Sequence, residues 1–115
     1  MTISKGRSRR RAGNRASTPH RPRLLAWLKK PGNAAAYVEA AIDEGDAAGL
    51  MQALRNVAEA QGGVGRIAAR TGLSRETLYR TLSKRGNPQL KSLAAILDAT
   101  GLRLAVRPIE IRSVR

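Results

Sequence analysis

From Leu24 onward the apolar residues recur at intervals of three and four, the spacing that gathers side chains on one face of an α-helix. Leu24, Leu25, Trp27 and Leu28 form a short amphipathic turn that Pro31-Gly32 is expected to end. Asn33 then stands as the N-cap of a helix that buries Tyr37, Val38, Ala41 and Ile42 and stops at Gly45. Asp46 caps the next helix, whose apolar face is Leu50, Met51, Leu54, Val57 and Ala58 and which Gly62-Gly63 closes. Both helices are amphipathic, so both need a surface to pack on.

The pattern then tightens in "IAARTGLSRETLYRTL", from Ile67 to Leu82. Ile67 and Ala68 share a face, and a residue as small as Ala lets a second helix cross closely. Gly72 comes four residues later, where the chain must turn sharply and a left-handed backbone suits glycine. Leu73 plugs the corner, Ser74 caps the following helix with Glu76 in its first turn, and Leu78 and Leu82 hold that helix to the core. Further on, "GNPQLKSLAAILDATGL" predicts a loop and a closing helix with Leu90, Leu93, Ile96 and Leu97 inward. After Gly101 the period changes to two: Leu102, Leu104 and Val106 alternate with Arg103 and Arg107, and Ile109 and Ile111 follow Pro108. That reads as a short strand. A lone strand needs a pairing partner, so it is either the edge through which two copies join or a frayed tail.

Composition narrows the classes. A chain of 115 residues is one small domain with a modest core. With no cysteine it has no disulfides and no thiolate metal ligands. No apolar run approaches the roughly 18 residues that span a bilayer, and no signal-like apolar stretch follows the basic N-terminus. The expectation is a soluble, cytoplasmic, nucleoid-associated protein with no membrane partner.

Charge changes the picture more. The 22 Lys+Arg against 8 Asp+Glu give +14. Residues 1–23 carry Lys5, Arg7, Arg9, Arg10, Arg11, Arg15, Arg21 and Arg23 with no acid, interrupted by Gly, Ser and Pro. This stretch reads as a disordered basic arm, either a polyanion-binding segment, a solubilising tail, or a stretch upstream of the true start. Residues 24–101 form the helical domain and 102–115 the strand or tail. Between Asn33 and Ala60, Glu39, Asp43, Glu44, Asp46 and Glu59 stand against a lone Arg55. Such an acidic half is either a solvated face or a docking surface for a basic protein partner.

The residues left pointing outward around Leu78 carry the candidate chemistry: Arg75, Glu76, Tyr79, Arg80 and Ser83, with Thr77 at the margin. An α-helix fits the major groove of B-DNA. There Arg holds guanine O6 and N7, Glu accepts from cytosine N4, and Thr touches a thymine methyl. Arg66 and Arg70 before this set, and Lys84, Arg85 and Lys91 after it, sit where phosphate contacts are expected. A plain helical hairpin with a charged solvated face is the bland alternative. An enzyme has little to work with: the single His is His20, in the arm, and Asp43, Glu44 and Asp46 read as helix-end residues rather than metal ligands. No cofactor or metal is expected. One Trp, two Tyr and no Phe give poor stacking platforms for single strands.

The stretch "TGLSRETLYRTLS…GNP" resembles the helix-turn-helix of the Xre and phage-repressor class. Joined to the "Y…AA…EGD" hairpin before it, the region 24–107 resembles the addiction-module antidote family, HigA-like antitoxins of bacterial type II toxin–antitoxin pairs. The resemblance implies an all-α fold of five to six helices, Xre/lambda-repressor-like, with the short C-terminal β-strand already predicted. It also implies a non-enzymatic protein that binds and neutralises a RelE-like or HigB-like ribonuclease toxin and represses its own operon. Its DNA-reading positions map to Ser74, Arg75, Glu76, Thr77, Tyr79 and Arg80. Two departures are visible: Gly65 stands where a Ser or Thr cap is common before the first motif helix, and Thr71 where phage repressors place an apolar residue. The basic arm lies outside the resemblance.

Expected partners are therefore double-stranded DNA with a palindromic operator, a cognate toxin of basic character, and a second copy of the chain. A homodimer sets two recognition helices about 34 Å apart, one turn of DNA. Two alternatives stay open: a stand-alone Xre-type repressor without a toxin, and a basic architectural nucleic-acid-binding protein in which the arm dominates.

Overall fold

The computed structural model describes residues 20–83 and 85–109, and its regular structure is helical throughout. Six helices follow one another: α1 (Arg21–Leu28), α2 (Pro31–Glu44), α3 (Ala47–Ala60), α4 (Val64–Thr71), α5 (Arg75–Thr81) and α6 (Leu90–Ala99). They form two packed groups. In the first, α1, α2 and α3 pack on one another; in the second, α4 holds both α5 and α6, and α3 joins the groups through α4. A single core runs between them, with Leu28, Leu54, Ile67, Leu78, Leu82 and Ile96 each at most 2% exposed. Fully burying one such side chain is worth about 1.5–3 kcal/mol, so these six outweigh any surface contact in the molecule.

Helix boundaries follow the predicted stops more closely than the predicted starts. Gly45 ends α2 at φ 73, and the Asp46 carboxylate caps α3 by accepting from the Ala48 N–H at 3.1 Å. Pro31, expected to end the first turn, instead begins α2, because a proline at the first helical position loses no hydrogen bond. The N-cap of α2 is therefore Lys30. Asn33 lies one turn inside, and its Nδ2 donates to the Trp27 carbonyl at 2.9 Å, tying α1 to α2. Trp27 meets Tyr37 edge-on across the same junction, with ring centroids 6.4 Å apart. Ile42, assigned to the buried face, is 53% exposed.

Arg21 and Arg23, counted with the arm in sequence, lie in α1. Arg21 reaches across to α3, where its guanidinium pairs with Glu59 and donates to Asn56 Oδ1 at 3.2 Å. Asn56 is 5% exposed and is the polar hub of this half: its Nδ2 donates to the Tyr37 hydroxyl at 2.8 Å, and its Oδ1 also accepts from Gln52 at 3.0 Å. The rest of the basic arm, residues 1–19, lies outside the described residues, as do residues 110–115.

The C-terminal strand is not seen. Residues 102–109 carry no regular structure, and no described strand pairs with them to complete a ladder. Alternation sets which side chains share a face, but a strand exists only where another backbone accepts and donates its hydrogen bonds. Leu90 departs as well. Placed inward by its spacing, it is 71% exposed at the first position of α6, while Ile96 and Leu97 do the packing.

Candidate nucleic-acid interface

The site is built on the short connection between α4 and α5. Gly63, at φ 94, caps α4; Gly65, expected to precede the helix, lies inside its first turn. At the other end Gly72 turns left-handed at φ 78 and donates to the Ala68 carbonyl at 3.0 Å. Thr71 stabilises the same corner, since its hydroxyl accepts from the Leu73 N–H at 3.1 Å. The polar residue that departs from the phage-repressor pattern thus has a local partner. Ser74 then caps α5, with Oγ accepting from the Thr77 N–H at 3.0 Å.

A helix of seven residues has no independent stability in water. Leu78 at 0% and Leu82 at 1% exposure root α5 in the core, on the spacing the sequence indicates. Arg55 adds an anchor that sequence reasoning missed: from α3 its Nη1 donates to the Leu82 carbonyl at the end of α5, and its Nη2 donates to Gln52 at 2.6 Å. The only available signal was a lone cation in an acidic stretch, which says nothing about a carbonyl 27 residues away.

With its inner face fixed, α5 presents Arg75, Glu76, Tyr79 and Arg80 to solvent, Tyr79 at 59% exposure. Arg75 rests over Gly65: a Cβ there would sit 3.7 Å from its guanidinium carbon. Thr77 is only half exposed, and its hydroxyl is held by Ser74 Oγ at 2.8 Å. Ser83 is half-buried and donates back to the Arg80 carbonyl. A groove of about 400 Å³ opens beside Tyr79, bounded by Arg55, Glu59, Gly63, Val64 and Leu82.

The flanking cations divide. Arg66, Arg85 and Lys91 are exposed, and neither they nor Arg75 and Arg80 form an ion pair with another described residue. Arg70 is engaged, donating to the Ala99 carbonyl at 2.7 Å and closing the end of α6. Lys84 lies outside the described residues. Most acids of the front half are structural: Asp46 caps a helix, Glu59 pairs with Arg21, and Glu39 accepts from Arg107 at 2.6 Å. Among the described residues no group of three or more His, Cys, Asp and Glu is placed to hold a metal ion.

Compared with known families, residues 24–108 match the profile described as "Probable addiction module antidote protein". The chain belongs to that family. The matched span takes in all of α2 through α6 and most of α1, so the acidic front hairpin and the α4–α5 pair fall within a single antidote unit. Membership gives the chain an antitoxin role and implies a cognate toxin as its partner. No curated protein and no solved structure matches this antidote. No helix among its described residues is long and apolar enough to cross a membrane.

Proposed function

We propose that this antidote reads DNA with α5, neutralises a RelE-like or HigB-like ribonuclease toxin by direct binding, and represses its own operon as a homodimer on a palindromic site. The observation that carries the DNA reading is the division of α5 into two faces. Leu78 and Leu82 are fully buried, while Arg75, Glu76, Tyr79 and Arg80 stand free with side chains suited to base edges. In this reading α4–turn–α5 is a helix-turn-helix, Arg66, Arg85 and Lys91 contact phosphates, and Arg80 contacts a base. The family match supports the toxin half, and the exposed acids Asp43 and Glu44 on the front hairpin offer a surface that steers a basic toxin.

One titration across salt tests the DNA half, using duplexes from upstream of the gene and of random sequence. Arg80→Ala is expected to weaken specific binding by about 1–3 kcal/mol and random binding far less. The reading fails if deleting residues 1–19 abolishes binding while Arg80→Ala leaves it unchanged, the result expected of an architectural protein whose arm does the work. The toxin half is tested by co-expressing the neighbouring open reading frame: a stable complex and relief of growth arrest support it. A neighbour encoding no toxin points to a stand-alone repressor.

A further inference from the structure

The dimeric reading above leaves open how two copies meet, and residues 102–109 bear on that. Leu102 is fastened, its N–H donating to the Leu97 carbonyl at 2.8 Å. Beyond it, residues 103–109 make no main-chain hydrogen bond to another described residue. Their apolar side chains face water, with Val106 99%, Ile109 84% and Leu104 40% exposed. The segment runs beside α2 over a groove of about 380 Å³ whose apolar wall includes Val38, Ile42, Leu97 and Leu104. It is held there by the ion pair of Arg107 with Glu39, whose side chains remain 72% and 57% exposed. So exposed a pair contributes little. A free backbone edge beside unburied apolar side chains is a template for strand pairing.

We propose that two copies of this chain pair through this segment, antiparallel, with Leu104 on the two-fold axis. Two arguments select a second copy. The patch carries both signs, Glu39 on α2 against Arg103 and Arg107, and a surface of mixed sign complements its own two-fold mate better than a partner of one sign. The sequence also supplies one self-complementary register. Centred on Leu104, the ladder sets Leu104 against itself, Leu102 against Val106 and Arg103 against Ala105. Centred on Ala105 it opposes Arg103 to Arg107, centred on Arg103 it opposes arginine to itself, and centred on Val106 it draws Pro108 into the ladder. A shift by half a step places Val106 against Arg103. Because the Leu102 N–H is taken, the alternate amides of Arg103 and Ala105 face the partner. Leu104 then forms a non-hydrogen-bonded pair, with Cα atoms about 4.5 Å apart.

The chain has no cysteine, so single cysteines report the register directly. In the full-length protein, Leu104→Cys is expected to form a covalent dimer readily under mild oxidation with diamide, since its Cα spacing falls in the disulfide range of about 4.4–6.8 Å. Val106→Cys is expected not to, because the two copies of that residue lie four positions apart, about 13 Å at the rise of a strand. Light scattering should show a dimer for the wild type and at least a tenfold weaker one for Leu104→Glu, with the helical circular dichroism unchanged. A dimeric wild type whose Val106→Cys cross-links as fast as Leu104→Cys, or in which neither cross-links, overturns the pairing and leaves the dimeric reading standing. A monomeric wild type overturns both.

Discussion

Replacing Asn56 with alanine tests whether the front half of the antidote is held by a polar hub as well as by its leucines. Arginine carries donors only, so the oxygen of the Asn56 amide must face Arg21, and its nitrogen is left to donate to Tyr37. Removal affects the three partners unequally. Gln52 is exposed and turns to water, and Arg21 keeps Glu59, so each loses little. The Tyr37 hydroxyl is half-buried and loses a partner that solvent replaces only in part, at about 1–2 kcal/mol. The void left at a position 5% exposed adds about 1 kcal/mol. The sum is about 2–3 kcal/mol, a fall in Tm of roughly 10 °C or more for a domain of this size. Urea unfolding followed by circular dichroism measures it. Tyr37→Phe alone should cost about 1 kcal/mol, and the double variant should fall short of additivity by about as much. A stability for Asn56→Ala within about 0.5 kcal/mol of wild type, or strictly additive variants, refutes the hub.

Two further substitutions address α5 and the loop that follows it. Ser74→Ala removes the cap of α5 and should destabilise by about 1 kcal/mol in the same unfolding assay, with Ser74→Thr recovering most of it. Gly86→Ala should cost more than about 2 kcal/mol, because an added Cβ would overlap the Thr81 carbonyl oxygen, which is backbone and cannot swing aside; an unchanged midpoint contradicts that placement of the loop.

Much of the α4–α5 connection was legible because each residue there answers a local demand. Gly72 meets a left-handed backbone, Ser74 an unpaired N–H, and Leu78 and Leu82 share one face of one helix. The departures arise where the deciding contact is distant in sequence or missing altogether. Pro31 is compatible with either end of a helix, and the packing of α1 on α2 and α3 decides which. Leu90 has the period of a core residue but lies on the first turn of α6, beyond the reach of the opposing helices. Arg70 reads as a phosphate ligand by its position in a basic run, yet it closes the end of α6, a use visible only once α4 and α6 are packed together. The 102–107 alternation is real as a pattern and yields no strand, since no described segment supplies the backbone partner that a strand requires.

The distribution of charge ties fold to function more firmly than the net value does. Of the acids in the front half, Asp46 caps α3, and Glu59 and Glu39 form ion pairs that join distant parts of the scaffold. The cations Arg55 and Arg70 are engaged likewise, each closing the carbonyl end of a helix in the second group. Among the described charges that form no ion pair, Asp43 and Glu44 sit together at the end of α2, and Arg66, Arg75, Arg80, Arg85 and Lys91 lie on and around α5 with Glu76 the acid among them, while Arg23, Lys29, Lys30, Asp98 and Arg103 lie elsewhere. Free charge of one sign raises the local concentration of its counter-ion and is screened by salt, whereas engaged charge does neither. The two faces should accordingly respond to different partners. Reversing Asp43 and Glu44 together to lysine should weaken capture of a basic toxin at low salt while leaving specific DNA affinity within about twofold. Equal losses on both partners would mean that the two surfaces are one.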